Sequence, residues 1–191
     1  MKKTLFYSIA MLMCTMLMVG CNGQNEPQTP DQPEQPEDTT TTVVKPVAAL
    51  LDYQFEVTEE MLEVADFTIS YYDKDGQLQT EQLDSIKWDK IIVAKLPAKL
   101  GVQVNAALRE DFDSTKYEVF RALKKYYYFA YAVGSDGKQA DSEIPFTNNT
   151  HSDMAGSQIE TFFNLYKEKP FAQVLFTFDE DGKKTYHSEW E

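Results

Sequence analysis

Val102, Val104, Ala106 and Leu108 alternate with Gln103, Asn105, Ala107 and Arg109. Successive side chains of an extended strand point to opposite faces, so this alternation calls for a sheet with one face in a core and one in water. A helix would scatter the same apolar residues around its circumference. Short runs of this kind recur from Val47 onward, separated by turn residues, which is the signature of an all-β domain. They predict strands at 48–57, 66–73, 77–83, 87–95, 101–109, 116–122, 125–134 and 138–144. Asp73-Lys74-Asp75-Gly76 and Gly134-Ser135-Asp136-Gly137 read as hairpin turns, with glycine supplying a positive φ. Thr58 is placed to cap one helical turn through Leu62, and Pro97 to end a strand.

Beyond residue 145 the period changes. Ile159, Phe162, Phe163 and Tyr166 fall at i, i+3, i+4 and i+7, which predicts an amphipathic helix over 157–168 with Ser157 near its N-cap. Lys167 and Lys169 suit its C-terminal end, and Pro170 stops it. A last hairpin follows, 171–178 and 184–190 around Asp179-Glu180-Asp181-Gly182. The expected fold is mostly β: an antiparallel β-sandwich over 46–145, with a C-terminal α-helix and β-hairpin appendage over 146–191 packed on it.

The run Lys125-Tyr126-Tyr127-Tyr128-Phe129-Ala130-Tyr131-Ala132-Val133-Gly134-Ser135-Asp136-Gly137 carries the most specific pattern in the domain. It resembles the penultimate-strand hairpin of fibronectin type III domains, in which a tyrosine, inward positions and an alanine alternate before a glycine turn. That resemblance implies an immunoglobulin-like sandwich, with Tyr126, Tyr128, Ala130 and Ala132 facing the core and Tyr126 in the corner tyrosine's place. Trp88 would be its buried tryptophan. Leu123 lies closer to Tyr126 than the family spacing has it. The opposite face of the strand carries Tyr127, Phe129, Tyr131 and Val133, too many apolar groups for a bare surface. The 157–168 helix is the expected cover; an open aromatic ligand platform is the competing expectation.

Residues 1–20 read as an export leader. Lys2 and Lys3 precede a fifteen-residue apolar stretch, 5–19, shorter than the roughly 20 residues that span a bilayer. Leu17-Met18-Val19-Gly20-Cys21 resembles the lipobox of bacterial lipoproteins, and the whole chain resembles a Bacteroidetes-type outer-envelope lipoprotein. The resemblance implies a diacylglycerol thioether on Cys21, cleavage before it and acylation of the new amine. Two or three acyl chains anchor stably, at about 0.8 kcal/mol per buried methylene. Asn22 after the cysteine favours the outer membrane; its periplasmic and surface faces both stay open. Residues 21–45 then form a tether. Pro27, Pro30, Pro33 and Pro36 recur at the period of polyproline II, and four threonines follow at 39–42. Extended at ~3.1 Å per residue, about 22 residues of such a tether reach ~70 Å.

Cys14 and Cys21 are the two cysteines of the chain, so a domain exported and acylated in this way holds no disulfide and depends on its core. The formal charge is −13, and losing Lys2 and Lys3 leaves 16 basic against 31 acidic residues, or −15. A surface of that sign repels nucleic acid. His151 and His187 stand apart with no cysteine ligands near them, no zinc motif or phosphate loop is present, and neither acidic hairpin turn has the glutamate an EF-hand requires. No catalytic residues, metal site or cofactor are expected. Thr39, Ser85 and Ser114 each follow an aspartate in a pattern resembling Bacteroidetes O-glycosylation sites.

The expected function is therefore a membrane-anchored, non-catalytic binding or adhesion module with a glycan or envelope-protein ligand. Tyr127, Phe129, Tyr131 and Trp190 are its candidate contact residues, because aromatic rings stack on sugars. A structural envelope scaffold, pairing through its sheet edges, is the alternative from another class. A hydrolase is the least favoured.

Overall fold

The computed structural model describes residues 44–190. The leader, Cys21, Thr39 and the tether up to residue 43 lie outside the described residues.

In chain order the elements are β1 (Pro46–Glu56), α1 (Glu59–Val64), β2 (Ala65–Tyr72), β3 (Leu78–Gln82), β4 (Lys87–Lys95), β5 (Ala98–Leu108), β6 (Phe120–Gly134), β7 (Phe146–Met154), α2 (Ile159–Asn164), β8 (Ala172–Phe178) and β9 (Lys184–His187). Short 3-10 turns at Ser114–Lys116 and Gly156–Gln158 precede β6 and α2. The strands form two antiparallel sheets, ordered β4-β1-β6-β7 and β3-β2-β5-β8-β9. The chain is mostly β, and the two sheets enclose one core, as a sandwich does.

Local chemistry sets the turns. Asp73 Oδ1 accepts from the Asp75 and Gln77 amides, and Asp179 Oδ1 does the same for Asp181 and Lys183. Gly76, Gly137 and Gly182 take positive φ in the three hairpin turns, where a β-carbon would be strained. Thr58 caps α1 by accepting from the Met61 amide, and Glu59 and Glu60 occupy its first turn. Residues 96 and 97 join β4 to β5 through a cis peptide bond.

The core is aromatic. Phe67 meets Phe171 at 5.5 Å and Phe163 at 6.3 Å, while Tyr53 stacks between Tyr126 and Tyr128 at 6.1 Å from each. Burying a phenylalanine contributes roughly 1.5–3 kcal/mol, so these rings form the domain's main cohesive mass. Tyr128, Ala130 and Ala132 are buried, and Tyr126 is half-buried against Tyr53 and Phe146.

Four expectations change. The strands predicted at 116–122 and 125–134 are one fifteen-residue strand, β6. Its inward position 124 is a lysine, which interrupts the apolar pattern; the ammonium group donates to Phe171 O and lies 5.3 Å from the Tyr166 and Phe171 rings. Burial, with Lys169 nearby, lowers its pKa. The segment 138–144 forms no strand: it makes an isolated bridge, Val133 to Gln139, the Ala140 and Ile144 amides donate to Ala132 O and Ala130 O, and the Asp141 side chain takes the Ala132 amide. Pairing resumes in β7, a polar edge strand whose sequence shows no alternation.

The helix predicted at 157–168 is a 3-10 turn and then α2 of six residues, with Gln158 rather than Ser157 at its N-cap. Finally, β8 pairs with β5 along seven positions, from Ala98–Phe178 to Val104–Ala172. The terminal hairpin therefore completes the second sheet instead of hanging from a finished sandwich, and the described residues 44–190 fall in one compact unit.

Candidate functional site

Ala49, Leu51, Tyr53 and Phe55 of β1 point into the core, so Ala48, Leu50, Asp52, Gln54 and Glu56 face outward. The register carries this outer row across three strands. Leu50 lies between Val93 of β4 and Tyr131 of β6, Asp52 between Ile91 and Phe129, and Gln54 between Asp89 and Tyr127. Glu56 lies between Lys87 and Lys125. The outer face of the first sheet is thus an apolar and aromatic field with a polar end.

Tyr127, Phe129 and Tyr131 form a continuous ladder. Tyr127 meets Phe129 edge-on at 5.7 Å, and Phe129 and Tyr131 are parallel within 1° at 6.0 Å. All three, with Val133, are half-buried. Beside them Ile91 is 64% and Val93 47% exposed.

The 157–168 segment does not cover them. Ile159 and Phe163 are buried in the core, Phe162 lies 6.3 Å from Phe171, and Tyr166 lies 4.6 Å from the same ring. The helix closes one end of the sandwich, where Phe67 and Phe171 give its apolar side a partner. Trp190 also departs from the expected group. It stacks on Tyr72 at 5.2 Å and 24°, over Gly101, on the outer face of the second sheet. A β-carbon on Gly101 would stand 2.9 Å from the indole, so glycine is what lets Trp190 lie so close. Three of the four candidate residues come together and the fourth does not.

Sequence reasoning missed Asp52. It is 9% exposed, and no hydrogen bond or ion pair reaches its carboxylate among the described residues. Burial raises its pKa, and Asp89 across the strand raises it further. The signal was present as the one charge inside the apolar run from Val47 to Phe55. Glu56, by contrast, is satisfied. It lies 2.9 Å from Lys125 and 3.7 Å from Lys87, and the Lys125 bond holds its pKa low despite partial burial. A concavity of about 440 Å³ at this end is lined by Gln54, Glu56, Lys87, Asp89, Lys125 and Tyr127, with Phe55, Trp88 and Tyr126 beneath.

A second polar constellation closes the β3–β4 edge of the sandwich. Glu81 of β3 accepts from Lys90 Nζ at 2.7 Å, Tyr71 OH at 2.6 Å and Trp88 Nε1 at 2.9 Å. These three donors, Lys90 foremost, pull its pKa down to about 2. A carboxylate held that low is a poor proton donor or acceptor near neutrality, so the cluster is a clamp between the sheets. Trp88 is accordingly half-buried at an edge rather than deep in the core.

Ser85 is exposed and donates to Lys87 O, whereas Ser114 is half-buried in its 3-10 turn. His151 is exposed on β7, and His187 bonds Thr177. Among the described residues no group of three His, Cys, Asp or Glu could hold a metal ion, and no helix is long and apolar enough to cross a membrane. Comparison of the chain with family models, curated proteins and solved structures gave no match.

Proposed function

We propose that this protein is a non-catalytic binding module of the bacterial envelope, anchored in the outer membrane through lipid on Cys21. Its ligand, a glycan or an envelope protein, docks on the outer face of the first sheet. The observation that carries the reading is the half-buried Tyr127-Phe129-Tyr131 ladder, on one sheet face with exposed Ile91 and Val93 and not covered by the 157–168 segment. Contiguous apolar patches of this kind mark binding surfaces. A hydrolase needs convergent carboxylates in a shielded cleft, and Asp52 lies on an open sheet face.

The sandwich is of the immunoglobulin-like kind in this proposal. The order β4-β1 facing β3-β2-β5 supports it, because it matches E-B facing C′-C-F of that fold. In that order the penultimate place falls to β5, and the Tyr126 strand lies in the other sheet, between β1 and β7. The scaffold reading keeps one observation of its own: β7 is a nine-residue edge strand with every residue exposed or half-exposed.

A glycan array and a pull-down from envelope fractions, run with wild type and with Tyr127→Ala plus Tyr131→Ala, test the proposal. Loss of the captured ligand at unchanged fold supports it. Capture that survives both substitutions refutes the aromatic platform, and capture lost only on altering β7 favours the scaffold.

A further inference from the structure

Buried charges in proteins are paired or hydrogen-bonded, since an unpaired one forfeits its hydration without return. Asp52, 9% exposed with its carboxylate oxygens still reaching solvent, has neither kind of partner among the described residues, at the centre of an outward-facing surface. Its register neighbours are Ile91 and Phe129, its diagonal neighbours include Val93, Tyr127, Tyr131 and Asp89, and no cation among the described residues reaches it. Of the lysines on this face, Lys87 and Lys125 both pair with Glu56, and Lys95 stands four residues along β4 from Ile91, opposite Ala48.

We infer that this face receives a protein segment whose arginine side chain ends on Asp52, with apolar residues beside it on Ile91, Val93 and the aromatic ladder. The inference rests on the binding-module reading and names its ligand class. Charge complementarity is the first ground: Asp52 and Asp89 are two carboxylates without an ion pair on one face of a strongly acidic chain. The second is the match of a guanidinium to the place. Its planar fork bonds a carboxylate, it is weakly hydrated, and its faces stack on rings such as Phe129 and Tyr131. The third is Ile91 and Val93. Aliphatic side chains give a sugar no ring to stack on, whereas aromatic and apolar groups around arginine are the usual core of a protein interface.

The site predicts an opposition between stability and binding. A partly dehydrated carboxylate repelled by Asp89 weakens the free protein, so Asp52→Asn should raise its melting temperature and weaken its ligand together. A residue serving the fold alone would show the reverse on stability. The test is an NMR titration of the ¹⁵N-labelled full chain with acetyl-Phe-Arg-Phe-amide, its citrulline analogue, and a neutral xylo-oligosaccharide. The arginine peptide should shift amides in 50–54, 91–93 and 127–131, and the citrulline peptide should bind about tenfold or more weakly. Asp52→Asn should remove that preference, while Glu110→Gln, an exposed acid removed at equal charge cost, should keep it.

Equal binding of the two peptides, or an arginine preference that survives Asp52→Asn, overturns the inference. Shifts of this face by the oligosaccharide alone overturn it as well, and leave the binding module standing as a glycan reader. If no probe moves the face, the platform reading falls with it.

Discussion

Replacing Glu81 with glutamine tests whether the clamp at the β3–β4 edge stabilises the sandwich by charge. Tyr71 and Trp88 donate to different carboxylate oxygens, so the carboxamide keeps an acceptor for one of them and loses the charge that Lys90 faces at 2.7 Å. A carboxyl moved from 4.5 to about 2 corresponds to about 3.4 kcal/mol at 1.36 kcal/mol per unit. The Lys90 and Glu81 side chains are 32% and 38% exposed, so solvent screening reduces this to about 1–2 kcal/mol. Burial opposes the Lys90 charge, but its bonds to Glu81 and Tyr71 outweigh that and its pKa is raised, which agrees in sign. Because the folded pKa of Glu81 lies below the unfolded one, the stabilisation is complete above about pH 4.5 and is lost as pH falls towards 2. Thermal unfolding followed by near-ultraviolet circular dichroism should place Glu81→Gln about 3–8 °C below wild type at pH 7. Glu56, Asp73 and Asp113 also have lowered pKa values and titrate in both proteins, so the informative quantity is the gap between the two curves. That gap should narrow from pH 4.5 to pH 2. A gap independent of pH, or none at pH 7, refutes the clamp.

Two further perturbations address the core and the anchor. Phe171→Ala removes the ring shared by Phe55, Phe67, Phe162 and Tyr166, and should cost about 3–5 kcal/mol in urea unfolding; a cost near 1 kcal/mol would mean that the helix does not depend on this ring. Cys21→Ala should abolish incorporation of labelled palmitate into the protein, and incorporation that persists in the variant would exclude the lipid anchor at Cys21.

The strands with one wet face were legible because period two is a local property. β1, β2, β4 and β5 lie within a few residues of their predicted spans, and all three Asp-Gly turns fall where Asp caps the turn and Gly turns it. What failed depends on contacts distant in sequence. β7 pairs with β6 through its backbone while its side chains, Thr147 to Asp153, stand at the edge in water, so nothing in their polarity marks a strand. Lys124 looked like a break because its inward position holds a charge, and only Phe171 O, 47 residues away, makes that tolerable. β8 reads as half of a local hairpin, and its place beside β5 is set by a register no short window contains.

The site divides along the same line. Two apolar surfaces in the sequence lacked partners, the 127–133 row and the 159–166 helix, and matching them to each other was the economical solution. An amphipathic helix states that one side must be buried but not against what. Phe67 and Phe171 had the stronger claim, since leaving them bare would open the core itself. With the helix committed there, the tyrosine ladder stays unmatched, and across two strand pairings it acquires neighbours that sequence separation hid: Ile91, Val93 and Asp52. Covering aromatics alone would need only apolar area. The unpaired carboxylate adds a demand for positive charge at one point, and it is this second demand that turns an exposed surface into a candidate recognition site.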